Sequence, residues 1–452
     1  MVVVASVSAP PNILILGGGF GGMTAARKLE QLVRPDEATI TVVSRENFSL
    51  FTPMLPEVSS GNLEARHVAT PLRAQLRRAH FILADVRTLD LANRSVVVEH
   101  TLLGTEQTLR YDQLVIGVGA VTSTFNLPGV AEHALPLKTL EDADRLRNHV
   151  IAMLELADVT QEPLERKRLL TFVFVGGGFT GVEAAGEMVD FFRSIVKFYR
   201  SIDPGEIEVF LIEGGAMLLP DLQAGMGEYS ARELERRGVK VLLNAFVAGA
   251  DERGLSLKDG RRIDAGTIVW SAGVRPSPFV AGLSIGNGRG GSIVTNADMS
   301  VPGYPGVWAI GDCASIPDPH GGTYAATAQY AIREGPLLAA NIVATLRGKP
   351  TKPFRYEAIG IMASLGARHA VAGIRGKYLL TGFPAWLLWR TYYLARLPGL
   401  DRRFRVALDW TLGLIFPRDI AELRVYSKMA QVRSALEGGM QILPGSEEPS
   451  SQ

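Results

Sequence analysis

Asn12-Ile-Leu-Ile-Leu-Gly-Gly-Gly-Phe-Gly-Gly22 decides the fold. The short apolar run reads as a parallel strand buried on both faces. Gly17, Gly19 and Gly22 follow in G-x-G-x-x-G spacing, with Phe20 inside the turn. Met23-Thr-Ala-Ala-Arg-Lys-Leu29 then opens a helix with small residues against the sheet, and a second strand at 39–43 completes a βαβ unit. In such a turn the first glycine permits the bend, the second lets backbone approach a pyrophosphate, and the third lets helix and strand close up. The phosphates lie at the helix start, where free N–H groups and the helix dipole favour negative charge.

The same unit recurs. Phe172-Val-Phe-Val175 leads into Gly176, Gly178 and Gly181, and Val182-Glu-Ala-Ala-Gly-Glu187 opens the following helix. Paired alanines repeat as well, Ala25-Ala26 and Ala184-Ala185. Two such units predict two Rossmann-like nucleotide-binding domains in an α/β chain. Working outward, 86–109 is rich in hairpin signals, and Tyr111-Asp-Gln-Leu-Val-Ile-Gly-Val-Gly-Ala120 is an apolar strand ending on Gly119 and Ala120. Its counterpart after the second unit, from Ile263 to Pro276, ends on Gly273. Gly306-Val-Trp-Ala-Ile-Gly-Asp-Cys-Ala314 brings a further strand into Gly311 and Asp312.

Glu213 ends the strand after the second turn, where a carboxylate accepts from an adenosine ribose 2′-OH and repels a 2′-phosphate. The second site therefore reads as one for NADH, not NADPH. At the matching place in the first unit stand Ser44, Arg45 and Glu46; Ser44 or Glu46 is left to bond a ribose hydroxyl.

Composition narrows the chemistry. The 452 residues are 47% hydrophobic and 21% charged, with 47 Lys+Arg against 46 Asp+Glu, a net charge of +1. The chain buries large cores and carries no protein-wide nucleic-acid footprint. A single cysteine, Cys313, excludes an intrachain disulfide, a Cys-rich zinc site and a dithiol redox catalyst, so redox chemistry needs a bound cofactor. The seven histidines show no metal spacing, and no catalytic metal is expected. No apolar run reaches spanning length, and 1–11 reads as a lead-in, not a signal peptide. Phe383-Pro-Ala-Trp-Leu-Leu-Trp-Arg-Thr-Tyr-Tyr-Leu-Ala-Arg-Leu397 combines Trp and Tyr with Arg, which is the chemistry of a membrane surface.

Taken together, these motifs resemble the flavoprotein reductases with two dinucleotide-binding domains, and within them the type II NADH:quinone oxidoreductases. The carrying stretches are Asn47-Phe-Ser-Leu-Phe-Thr-Pro-Met-Leu-Pro-Glu57, Gly177-Gly-Phe-Thr-Gly-Val-Glu183, Ala328-Gln-Tyr-Ala-Ile-Arg-Glu-Gly335 and Gly382-Phe-Pro-Ala-Trp-Leu-Leu-Trp-Arg390. The resemblance implies FAD in the first domain and NADH in the second. It sets Arg45 near the FAD adenosine or pyrophosphate, Thr52 and Pro53 near the flavin, and Asp312 on the ribityl chain. Ala328 and Gln329 match the quinone-site motif, and Glu183 would face the nicotinamide–flavin–quinone region and pass a proton. Lys377 corresponds to a family lysine, although a solvated surface lysine is the preferred reading.

The expected organisation is 1–135 for the first part of the FAD domain, 136–290 for the NADH domain and 291–375 for the second FAD part. A membrane-association segment at 376–430 and a flexible tail at 431–452 follow. The expected activity is respiratory: hydride from NADH to FAD, then two electrons to ubiquinone or menaquinone, without proton pumping. The expected location is the cytoplasmic face of the inner membrane, held peripherally through 383–416, and a homodimer is compatible with it. Two alternatives stay open: a soluble NADH-dependent reductase of a ferredoxin-like protein, and an NADH-binding redox sensor with little turnover.

Overall fold

The computed structural model describes residues 10–222, 225–283, 285–374 and 378–422. Lys377 and the tail expected at 431–452 lie outside the described residues.

The first glycine turn sits in a seven-stranded sheet. Its parallel part runs in the order Val307–Ala309, Gln113–Ile116, Asn12–Leu16, Thr39–Ser44, His80–Asp90. The long strand His80–Asp90 then continues into an antiparallel meander with Ser95–His100 and Glu106–Arg110. Ile13 to Leu16 are wholly buried, as an apolar run between two helical layers must be. On one face the helix Phe20–Leu32 packs on the late helix Ala328–Leu346. They touch at Gly335, where a Cβ would lie 2.1 Å from Thr24 Oγ1 and 2.6 Å from the Gly21 carbonyl oxygen. The first nucleotide unit is therefore completed by chain that returns about 300 residues later.

The second glycine turn belongs to a five-stranded parallel sheet, in the order Leu135–Pro136, Thr267–Trp270, Thr171–Val175, Glu208–Ile212, Val239–Leu242. A small antiparallel sheet of Val247–Asp251, Gly254–Leu257 and Arg262–Asp264 caps it. The helix Phe179–Ile195 that follows the turn is buried almost all round. It packs between this sheet, the short helix Leu55–Ser59 and a third antiparallel sheet of Gly360–Ser364, Ala370–Ile374 and Tyr378–Thr381.

Two C-terminal helices, Gly382–Arg396 and Leu400–Leu412, close the molecule. Trp386, Trp389 and Trp410 point into the same core as the helix Phe179–Ile195. This corrects the placement of the tryptophans at a headgroup surface: their apolar bodies fill the core and two of their N–H groups find buried carboxylates. The outward face is instead aliphatic and phenyl, with Phe383, Leu387, Leu400, Phe404, Leu408 and Leu412 exposed. Leu414, Ile415 and Phe416 extend it. No helix among the described residues is long and apolar enough to cross a membrane.

Candidate functional site

The two glycine turns are built alike. Gly17 and Gly176 have φ of +116° and +114°, a region that favours glycine. A Cβ on Gly22 would lie 2.0 Å from the Gly17 carbonyl oxygen, and one on Gly181 would lie 1.9 Å from that of Gly176. Each helix thus starts in direct contact with its own strand end. The N-cap residues Gly19 and Gly178 have open space at the Cβ position and no side chain caps either helix. The first-turn N–H groups of both helices are left for an anion.

Both helix starts face one cavity of about 1260 Å³. Of the residues singled out from the sequence, Gly19, Phe20, Ser44, Arg45, Thr52, Pro53, Gly119 and Ala120 line its first-domain side. Gly178, Glu183, Gly273, Gly311, Asp312, Ala328 and Gln329 line the rest, and Glu46 is also on the wall. Gly17, Gly22, Gly176 and Gly181 lie in the turns behind the wall. Glu213 lies outside it, accepting from the backbone N–H groups of Gly177 at 2.5 Å and Gly215 at 2.6 Å. That position beside the second turn is where a ribose at the far end of a dinucleotide would lie.

Several wall contacts could not be read from the sequence. Lys138 Nζ donates to Asp312 Oδ2 at 3.2 Å, which fixes a carboxylate and a cation at the cavity. Glu334 accepts from the Gly311 N–H at 2.7 Å, and burial pushes its carboxyl up to about 7. Gln329 Nε2 donates to the Tyr356 hydroxyl at 3.1 Å, and the Arg333 guanidinium lies 4.1 Å from the centre of the Tyr356 ring. Glu334 and Arg333 stand inside a motif already in view; Lys138 and Tyr356 carry no local signal.

Glu183 is buried where the cavity meets the C-terminal helices. Its Oε1 accepts from the Ser364 N–H at 2.9 Å and from Trp389 Nε1 at 3.1 Å. Burial outweighs these donors and raises the carboxyl to about 8. Folded-state values above the ordinary 4.5 mean that the folded chain binds more protons than the unfolded chain. Their stabilisation is complete below the unfolded value and is lost as pH rises through about 7 to 8. Glu183→Gln is therefore expected to unfold at nearly the wild-type temperature at pH below the ordinary value of 4.5 and progressively above it as the pH rises towards about 8. The gain is on the order of 5 kcal/mol by about pH 9. Thermal melts across that range check it; a constant offset at every pH would contradict it.

The site fits the two dinucleotides the sequence suggested. Its size exceeds that of a pocket for one small ligand, about 300–1,000 Å³. Two uncapped helix starts supply phosphate cradles, and the wall between them carries both apolar and hydrogen-bonding groups.

The chain matches the family described as pyridine nucleotide-disulphide oxidoreductase over residues 11–335, and the NDH2 C-terminal domain over 359–419. It is 34% identical over 446 residues to the type II NADH:quinone oxidoreductase Ndh of Mycobacterium tuberculosis, covering 95% of this chain and 94% of that one. It is also 34% identical to the internal alternative NAD(P)H-ubiquinone oxidoreductase A1 of Arabidopsis thaliana mitochondria, covering 91% and 86%. In fold it is similar to the NDH2 of Plasmodium falciparum solved with NADH, with a TM-score of 0.84, 22% identity, and coverage of 91% of this chain and 99% of that one.

Proposed function

From the premise that this chain belongs to the type II NADH:quinone oxidoreductases, within the pyridine nucleotide-disulphide oxidoreductase family, we infer that it oxidises NADH and reduces a quinone, with FAD as its resident cofactor. When bound, FAD supplies acceptance of a hydride and release of two electrons. The protein supplies position, charge and protons. Gly17, Gly19, Phe20 and Gly22 form the cradle for the FAD diphosphate, and Ser44, Arg45 and Glu46 face its adenosine end. Asp312, held by Lys138, bonds the ribityl chain, with Gly311, Gly119 and Ala120 giving close approach. Thr52 and Pro53 border the flavin ring. Gly176, Gly178 and Gly181 cradle the NADH diphosphate, and Gly273 borders its nicotinamide end. Two FAD parts flank an NADH domain, with the expected bounds of 136–290 shifted: the second sheet already includes Leu135, and Val280 and Ile285 pack with the first sheet and belong to the second FAD part.

Gln329, beside Ala328, donates from its amide to a quinone carbonyl, and Glu183 holds a proton at its carboxyl for transfer to a quinone oxygen. The exposed apolar face of the C-terminal helices rests in the membrane surface, on the cytoplasmic side, and brings a lipid-soluble quinone to the cavity. What carries this reading is one cavity facing two uncapped helix starts with Glu183 and Gln329 on its wall. Anaerobic addition of NADH should bleach the flavin, and a soluble ubiquinone or menaquinone analogue should restore its colour. Return of colour only with a ferredoxin-like protein would overturn it.

Glu213 sets the nucleotide preference. Its carboxylate repels a 2′-phosphate by about 2 kcal/mol or more, roughly thirty-fold in kcat/KM. NADH is expected to be preferred by at least that factor, and Glu213→Ala to lose most of the preference. A wild-type kcat/KM for NADPH equal to that for NADH would contradict the assignment.

A further inference from the structure

Behind Glu183 lies a buried charge cluster that the reading above does not use. Glu187 stands one helical turn after Glu183 on the helix Phe179–Ile195, and Glu57 reaches in from the helix Leu55–Ser59. All three are at most 6% exposed. Glu57 Oε1 accepts from Asn62 Nδ2 at 2.8 Å and from Trp410 Nε1 at 3.0 Å. Arg390 lies 3.7 Å from it, its guanidinium held between the rings of Trp386 and Trp410 at 4.1 and 4.5 Å. Glu187 Oε2 accepts from Arg418 at 2.8 Å and from the Ser60 hydroxyl at 3.3 Å. Glu57 Oε2 is buried without a hydrogen-bond partner among the described residues, and so is Arg390 Nε.

Among the described residues, the surrounding elements add no further charge to this set. On the helix Leu400–Leu412, Asp409 is taken up by His67 at 2.6 Å. On the helix Leu140–Val159, Arg147 donates to the carbonyls of Asp419 and Ala421. Further along the helix Phe179–Ile195, Asp190 pairs with Arg237. Tyr393, beside Glu183, has its hydroxyl pushed up by burial and stays neutral. The cluster is thus three carboxylates, Glu57, Glu183 and Glu187, against two guanidiniums, Arg390 and Arg418. Fully ionised it would bury one uncompensated negative charge, which is unfavourable away from water and is relieved by binding a proton.

We propose that Glu57, acting through Glu183, is a second proton-holding group of the quinone site, so that the cluster keeps one proton that Glu183 offers into the cavity. This rests on the reading of Glu183 given above. The two carboxyls share that proton: on Glu183 it is the one offered to the quinone, and on the unpartnered Oε2 of Glu57 it breaks no existing hydrogen bond. Burial and the neighbouring Glu187 raise the Glu57 carboxyl to about 7, while Glu57 and Glu187 help raise Glu183. In the overall reaction, the hydride of NADH accounts for both electrons and one proton of the quinol. The other proton passes from the Glu183 O–H to a quinone oxygen, leaves a carboxylate in the cluster, and is replaced from water after the quinol departs. Because Arg390 and Trp410 belong to the C-terminal helices, those helices set the proton affinity of the cluster as well as closing the fold.

The test is a sign test. The C=O stretch of protonated carboxyls is followed by infrared pH titration of the oxidised holoenzyme, without turnover. The pH midpoint for reoxidation of NADH-reduced enzyme by a short-chain quinone is measured beside it. Glu57→Gln removes one negative charge and keeps an oxygen to accept from Asn62 and Trp410. It should delete one titrating band and lower the Glu183 midpoint by about one pH unit. Arg418→Gln should move that midpoint up, and Glu187→Gln down, and this pair decides the matter if Glu57→Gln does not fold. Unmoved midpoints, or shifts of one sign from both kinds of variant, overturn the proposal. If instead Glu183→Gln leaves the wild-type pH profile of quinone reduction intact, the reading of Glu183 itself falls.

Discussion

Gly22→Val is expected to purify without bound flavin, whereas Gly181→Val is expected to purify yellow and to resist reduction by NADH. The two substitutions are the same in chemistry and nearly the same in geometry. A Cβ at Gly22 falls 2.0 Å from the Gly17 carbonyl oxygen, and one at Gly181 falls 1.9 Å from the Gly176 carbonyl oxygen and 2.7 Å from Ser271 Oγ. Neither obstacle is a flexible side-chain end that can swing away, apart from the serine hydroxyl. The helix start must withdraw from the strand, and with it the N–H groups that hold a diphosphate. Loss of two or three such charge-assisted bonds amounts to about 4 kcal/mol, roughly a thousand-fold in affinity. Flavin absorbance per chain and the rate of bleaching by NADH read the two cradles separately. Gly286→Ala, which meets nothing within 4 Å, serves as the control that keeps both. If Gly181→Val is the colourless protein and Gly22→Val the one blind to NADH, the assignment of the two cradles is reversed.

Such a prediction was open from the sequence because each cradle is local. Strand, turn and helix start fall within about a dozen residues, and each glycine answers to a neighbour in the same unit. The remainder of the wall is not local. Asp312 is visible as the end of an apolar strand, but Lys138, which holds it, comes from 174 residues earlier. The strand Leu135–Pro136 has only two residues, too short for any periodicity, yet it extends the second sheet beside Thr267–Trp270. Tyr356 orients Gln329 from outside every motif. Long-range pairings of this kind are set by the packing of finished units, and single-residue patterns carry no trace of them.

The C-terminal helices show a different limit. Trp, Tyr, Leu and Arg in one stretch state that a surface is amphipathic without stating which face meets water, lipid or protein. The deciding facts are two carboxylates elsewhere in the chain. Glu183 draws the indole N–H of Trp389, and Glu57 draws that of Trp410, and both rings are thereby turned inward. A buried indole N–H without a partner is costly, so the acceptors choose the face. Arg390 follows them in, because its charge is matched by Glu57 and its planar head by two tryptophan rings. The tryptophans expected at an interface are thereby buried, and aliphatic and phenyl side chains are the ones left exposed.

Replacing Leu400, Phe404, Leu408 and Leu412 together by serine should therefore detach the protein from vesicles and leave the cavity intact. These four recur at every fourth position of one helix and are all exposed, between 44% and 80%. A full transfer of each to hydrocarbon is worth about 1.5–3 kcal/mol, so half-insertion of the stripe still loses roughly 4 kcal/mol, a thousand-fold in partitioning. Arg396 and Arg405 are exposed on the same two helices and add attraction to anionic lipid, about 1 kcal/mol each near the surface. High salt alone should thus weaken binding far less than the quadruple variant does. The inward residues are untouched, so Trp389 still holds Glu183, and turnover of a water-soluble quinone analogue should stay within about two-fold of wild type while turnover of a long-chain quinone in vesicles collapses. Tryptophans placed at the headgroups would give the opposite ranking, with the serine variant sedimenting like the wild type. Sedimentation with anionic and with neutral vesicles distinguishes the two outcomes, and a quadruple variant that stays with the lipid would remove the membrane from this side of the molecule.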